Sequence, residues 1–132
     1  MTDSSPKQKA LTFIDAIVKQ DRARMRAVCH ADFIWTLVPK SLNIPTSGGD
    51  AAIDMLSSLG NTAFRSGSLS AAASRVCENA NTVVLEVNVK GTTIKDRQYD
   101  NWYVLWFEFR DGLIAEFREH VDTKYAVDVL MS

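Results

Sequence analysis

The stretch from Tyr99 to Val121, YDNWYVLWFEFRDGLIAEFREHV, leaves the chain little freedom in how it folds. Apolar side chains alternate through it with a period of two, so each half reads as a strand, and the Asp-Gly pair between them signals a tight turn. In the first half Tyr99, Tyr103, Leu105, Phe107 and Phe109 point one way, and Trp102, Val104 and Trp106 point the other. Both faces are apolar, and one layer of helices covers only one of them. The face with two tryptophans then needs another surface, either a second copy of the chain packed sheet to sheet or this chain's own C-terminal residues.

Register in this hairpin depends on the turn. A three-residue Arg110-Asp111-Gly112 loop sets Tyr103 opposite Glu119 and Asn101 opposite Val121, whereas a two-residue Asp111-Gly112 turn sets Tyr103 opposite His120. Alternation puts Glu119 on the face of Phe117 and Val121, a carboxylate among apolar neighbours. His120 and Asp122 fall on the opposite face with Glu116 and Arg118, unless a β-bulge turns them inward as an alternative catalytic pair.

Upstream, SLSAAASRVC and TVVLEVNVKG complete a run of strands separated by ENAN and GTTIKD, an antiparallel meander. Before it come three helices. Ser5-Pro6 opens the first, from about Pro6 to Lys19; Asp21 caps a short second with Met25, Val28 and Cys29 on one side; Asp50 caps a third that Gly60 stops. DFIWTLVP reads as a strand closed by Pro39, and residues 39–49 as a loop in the position of a lid. Helices gathered before one antiparallel sheet make an α+β domain spanning 1–132, with the helices on one face.

The 132 residues carry 15 basic and 16 acidic side chains in even distribution, which excludes the basic stripe of a nucleic-acid binder. The polar N-terminus and the absence of a long apolar run point to a soluble, cytoplasmic protein that does not engage a membrane. Cys29 and Cys77 lack metal-ligand spacing and read as buried free thiols, and no metal site is expected.

The order of elements, the Tyr-x-Asn-x-Tyr of Tyr99 to Tyr103, the Phe-x-x-x-Asp-Gly-x-Ile turn and the terminal REHVDT resemble the nuclear transport factor 2-like superfamily. Within it the chain is similar to the SnoaL-like branch, with its polyketide cyclases, ketosteroid isomerase relatives and limonene epoxide hydrolase. The resemblance covers nearly the whole chain. It implies a cone-shaped fold with a curved sheet around helices, a pocket inside, and a dimer across the sheet. It also implies that Glu119 holds the pocket position on the last strand, which favours the three-residue turn. The hydrolase triad is not carried over: its arginine and second aspartate fall on Glu86 and Asn88, and its water-holding tyrosine and asparagine on Trp35 and Leu37. The isomerase pattern departs too. Its tyrosine falls on Phe13, its general base near Leu37 or Val38, and its oxyanion-hole aspartate near Tyr103 or Val104.

Chemistry is then expected to centre on Glu119. In a cavity lined by Ile14, Ile17, Trp35, Leu37, Phe117 and Val121 the carboxylate loses hydration, its pKa rises toward neutrality, and it suits general acid or base work. Tyr103 orients it or polarises a carbonyl, and Asn88 and Asn101 fix a ligand oxygen or a water. The expected function is cofactor-independent isomerisation, dehydration or cyclisation of a small, largely apolar, oxygenated molecule. The alternative is a non-catalytic module that binds a hydrophobic ligand or dimerises. A carboxylate pair of Glu86 with Glu119 would favour the enzyme.

Overall fold

The computed structural model describes residues 5–131. Helix α1 spans Pro6–Val18, with Pro6 at its start and the Ser5 hydroxyl accepting from the Gln8 N–H. Helix α2, Arg22–Val28, is capped by Asp21, whose carboxylate accepts from the Arg24 N–H at 3.1 Å. Strand β1 then runs Cys29–Leu37. A 3-10 turn at Lys40–Leu42 and a two-residue strand β2, Ser47–Gly48, occupy the segment expected as a loop.

Helix α3, Gly49–Thr62, has Asp50 in its first turn and Gly48 at its cap. It passes through Gly60 instead of stopping there. Gly60 is buried, and a Cβ on it would lie 2.6 Å from the Gln20 side-chain nitrogen, so the glycine serves close packing against the α1–α2 corner. Strands β3 (Ser70–Asn79), β4 (Thr82–Thr92), β5 (Gln98–Arg110) and β6 (Leu113–Val121) follow. A fourth helix, α4 (Thr123–Leu130), is an addition to the expected three.

The strands form one six-stranded sheet in the order β2-β1-β6-β5-β4-β3. The meander is antiparallel as expected, but β1 pairs with β6 in parallel, because the chain must cross from the first helices to the far end of the meander before returning. The β5–β6 turn is the two-residue form, with Asp111 and Gly112 both at positive φ and Arg110 opposite Leu113. A bulge at Ala115 then advances the register, so Tyr103 meets Val121 and Leu105 meets Glu119. Neither expected pairing of Tyr103 occurs. The bulge has a packing reason: Ile114 and Phe117, three apart on one strand, are 0% and 1% exposed, and strict alternation would send them to opposite faces. A second irregularity between Ala73 and Arg75 interrupts β3, and bulges of this kind bend a sheet.

The helices lie on the inner face. Phe13 of α1 is enclosed by Phe33, Phe107 and Phe117, its ring centroid 4.8 Å from that of Phe117 and edge-on. A smaller cluster joins Phe64, Leu69 and Tyr99 to Val129 of α4. The C-terminal residues therefore close the inner side and do not cover the outer one, where Trp102, Val104 and Trp106 are 53%, 40% and 38% exposed. Of the two thiols, Cys29 is buried, and its burial pushes the pKa up to about 12. Cys77 lies exposed, contrary to expectation, because the strand that carries it is the sheet's edge. Among the described residues no helix is long and apolar enough to cross a membrane.

Candidate active site

Between α1, α3 and the inner faces of β3 to β6 lies a cavity of about 90 Å³. Ile14 and Ile17 come from α1, Leu59 from α3, Val87 and Val89 from β4, and Phe117 from β6, with further apolar side chains between them. Among the described residues only two that line it are polar, Glu119 and Tyr103.

Glu119 is placed by the alternation that restarts after the Ala115 bulge, one pleat beyond Phe117. Its Oε1 accepts a hydrogen bond from Trp35 Nε1 at 3.1 Å. Burial pushes the carboxyl up to about 7 from an ordinary 4.5, and the indole N–H, which favours the anion, offsets part of this. An indole only donates, so Oε1 is held as the acceptor, and Oε2 is the atom that takes or gives a proton. The group is thus divided between acid and base near neutral pH.

Tyr103 enters from β5. Its hydroxyl lies 2.7 Å from that of Tyr99, which in turn accepts from Asn101 Nδ2 at 2.9 Å. Burial raises the pKa of Tyr103, and Tyr99 and the Glu119 carboxylate reinforce the rise, so the phenol keeps its proton. The hydrogen bonds of the two polar groups lead apart, Glu119 to Trp35 and Tyr103 to Tyr99.

Of the expected pocket residues, Ile14, Ile17, Phe117, Glu119 and Tyr103 come together. Trp35 is buried and reaches the site through its indole nitrogen, without forming a cavity wall. Leu37 pairs across from Glu119 but lines a separate hollow with Thr36 and residues 40 and 43–46. No cavity-lining residue comes from 39–49, so that segment is no lid over this site. Asn88 shares the face of Glu86, one step from inward-pointing Val87, and its amide donates to Asp100 Oδ1 and the Asn101 carbonyl. It is excluded from the cavity by strand parity. Asn101 is 3% exposed and fully engaged in hydrogen bonds with Tyr99, the Asp122 carbonyl and the Trp102 N–H, so it braces the site from behind.

Val121, His120 and Asp122 border a hollow with Trp102, Val104 and Glu86 instead of the cavity. His120 is exposed, and Asp122 caps α4 by accepting from the Tyr125 N–H, which removes them as an inward catalytic pair. Glu86 accepts from the Ser74 hydroxyl and lies 3.6 Å from Arg75, on the face opposite Glu119, so the two carboxylates do not pair.

The sequence reading missed Phe64, Leu69 and Tyr99. Tyr99 carried a signal, since it lies on the same strand face as Tyr103, four residues away. Phe64 and Leu69 sit in an irregular connection without a periodic pattern. Among the described residues no group of three or more His, Cys, Asp or Glu side chains converges as a metal site would require.

No curated protein matches the sequence. Among solved structures, an NTF2-like protein of unknown function from Burkholderia pseudomallei K96243 superposes with a TM-score of 0.84 at 17% identity, covering 99% of this chain and 100% of that one. A putative SnoaL-like polyketide cyclase from Jannaschia sp. CCS1 gives 0.80 at 17% identity, with 96% and 92% covered. An LEH-like epoxide hydrolase of M. tuberculosis gives 0.74 at 16% identity, with 96% and 89% covered. Identities this low establish the fold alone. The model of the SnoaL-like domain matches residues 10–117, from the first turns of α1 to the strand that carries Glu119, and on that match the chain belongs to the SnoaL-like domain family.

Proposed function

We propose that this protein is a cofactor-independent acid/base enzyme acting on a small, largely apolar, oxygenated molecule. Glu119 transfers the proton and Tyr103 donates a hydrogen bond to the oxygen where charge develops. The observation that carries the reading is a carboxyl pushed up to about 7 in a cavity where, among the described residues, the only other polar lining residue is a tyrosine. Isomerisation, dehydration and cyclisation all need this pairing of a mobile proton with an oxygen ligand. Size narrows the class: 90 Å³ is less than the ~150 Å³ that takes a benzene ring, so a five-membered ring, about as large as benzene, enters only as the walls yield, and larger ligands are disfavoured.

Hydrogen–deuterium exchange tests this. In D₂O, wild type should exchange the protons next to the carbonyl of cyclopentanone faster than buffer does, with a rate rising through pH 7 as Glu119 ionises. Glu119→Gln should fall to the buffer rate. Exchange that survives the substitution would leave the non-catalytic binding module as the better reading.

A second reading concerns assembly, and the exposed Trp102-Val104-Trp106 stripe favours it. The occupant that suits the stripe is another copy of this chain. Glu86 and His120 flank Val104 on opposite sides, so a two-fold axis parallel to the strands lays the carboxylate of one copy toward the imidazole of the other. Sedimentation equilibrium should give a dimer for wild type and a monomer for Trp102→Glu. A wild-type monomer would refute it. The exposed, unpaired Cys77 suits a reducing, intracellular setting.

A further inference from the structure

The three side chains behind the cavity form a hydrogen-bond chain whose direction is fixed at one end. Asn101 is held by two backbone groups of opposite kind: its Nδ2 donates to the Asp122 carbonyl at 3.2 Å, and its Oδ1 accepts from the Trp102 N–H at 2.9 Å. A flipped amide would face oxygen with oxygen and N–H with N–H, so only one orientation is satisfied. That orientation aims the second Nδ2 hydrogen at Tyr99, whose oxygen accepts it at 2.9 Å.

Tyr99 then directs its own proton along its remaining contact, the 2.7 Å approach to the Tyr103 oxygen. Tyr103 accepts there, and among the described residues its hydroxyl makes no second hydrogen bond. Its own proton is then left for the cavity that Tyr103 lines with Glu119. The burial of Asn101 at 3% exposure and of Tyr99 at 1% keeps water from reversing the order.

We infer that Asn101 is a positioning residue that sets the sense of the Asn101–Tyr99–Tyr103 chain, making Tyr103 an obligatory hydrogen-bond donor to the cavity and selecting ligands whose polar end is a carbonyl oxygen. The inference deepens the reading of the cavity as the ligand site and rests on it. An apolar isostere leaves the phenol proton unpaired in an apolar space, which costs the complex affinity. A protonated amine, which only donates, meets a second donor. A ketone or enone oxygen satisfies the proton without rearrangement, with Glu119 at hand to exchange one.

The test compares cyclopentanone with methylenecyclopentane, near-isosteric probes with and without an acceptor, by protein-observed NMR titration. Wild type should bind the ketone roughly three- to tenfold more tightly than the alkene. In Asn101→Asp the new carboxylate accepts from Tyr99, Tyr99 accepts from Tyr103, and the proton turns away from the cavity, so the ketone preference should vanish while alkene binding persists. Tyr99→Phe should retain part of the preference, because the Tyr103 hydroxyl is freed but not reversed. A purely structural role predicts no such ordering.

If both probes bind equally to wild type, the directed chain is wrong and the cavity reading survives. If neither binds, the cavity reading fails and this inference fails with it. Should Asn101→Asp not fold, the carbonyl stretch of bound cyclopentanone decides the matter. It should lie lower in wild type than in Tyr103→Phe, and equal frequencies would overturn the proposal.

Discussion

Two tryptophan–glutamate pairs stand on opposite faces of the same sheet. Inside, Trp35 donates to Glu119 at 3.1 Å, beside an apolar cavity. Outside, Trp106 donates to Glu108 at 2.6 Å, and the Thr82 hydroxyl adds contacts of 2.8 and 3.0 Å to the same carboxylate. The donor chemistry is shared, and the surroundings are not. The outer pair lies on a strand surface that no helix covers, where the half-buried Glu108 keeps access to solvent. The inner pair is roofed by α1 and α3, and lost hydration outweighs the indole bond, so the carboxyl moves to about 7. The hydrogen bond does not raise the pKa of the carboxyl; the layer above it does.

The largest effect should come from removing that layer's anchor. Phe13→Ala deletes the ring enclosed by Phe33, Phe107 and Phe117, and urea unfolding should show a loss of about 3–5 kcal/mol. A much smaller loss would mean that the inner face is loosely packed and the contrast between faces is overstated.

Next comes the pH dependence of Glu119. Between its ordinary 4.5 and the folded value of about 7, the native state keeps a proton that the unfolded chain has released. Wild-type stability therefore declines as pH climbs through that window and then runs level with that of a non-titrating variant. Glu119→Gln should gain on wild type by about 3 kcal/mol across the window, read from urea unfolding at a series of pH values. A difference independent of pH would place Glu119 in water. Trp35→Phe should carry the upper end of the window above 7, since the indole bond favours the anion.

Asp122→Ala comes third. It removes the carboxylate that accepts from the Tyr125 N–H at 3.1 Å, and should cost about 1 kcal/mol. Because Val129 of α4 packs on Phe64 and Tyr99, the loss should be accompanied by faster amide exchange at the inner face, with the outer strand surface unchanged.

Where the sequence was legible follows from the range of the forces involved. Local signals read correctly: Pro6 and Asp21 at helix starts, alternation in β4 and β5, and Glu119 among apolar neighbours. The parallel partner of β1 lies some eighty residues away, and no local pattern announces it. The register of Glu119 depends on a bulge that exists because Ile114 and Phe117 both reach the core, a tertiary demand expressed at one alanine. Asn88 was assigned to the site by transferring a pattern between relatives, although its own alternation with Val87 and Val89 already placed it outward. Helix α4 was hidden because Asp122 was read as the tail of a strand, when its side chain was in place to cap the helix that follows.

The smallest effect belongs to the outer pair. Glu108→Gln keeps an acceptor oxygen for Trp106 and Thr82 and loses only the charge, so in a monomer it should lower stability by no more than about 0.5 kcal/mol. The sign is the informative part. The same substitution stabilises at position 119 above pH 7 and mildly destabilises at 108, since one removes a charge roofed by helices and the other a half-buried charge held by Trp106 and Thr82. If a second copy covers the tryptophan stripe, the Glu108→Gln effect should grow as protein concentration is raised, because the substitution then acts on the associated state. An effect that stays constant from micromolar to millimolar protein would leave the outer face in water and the contrast between the two pairs at its fullest.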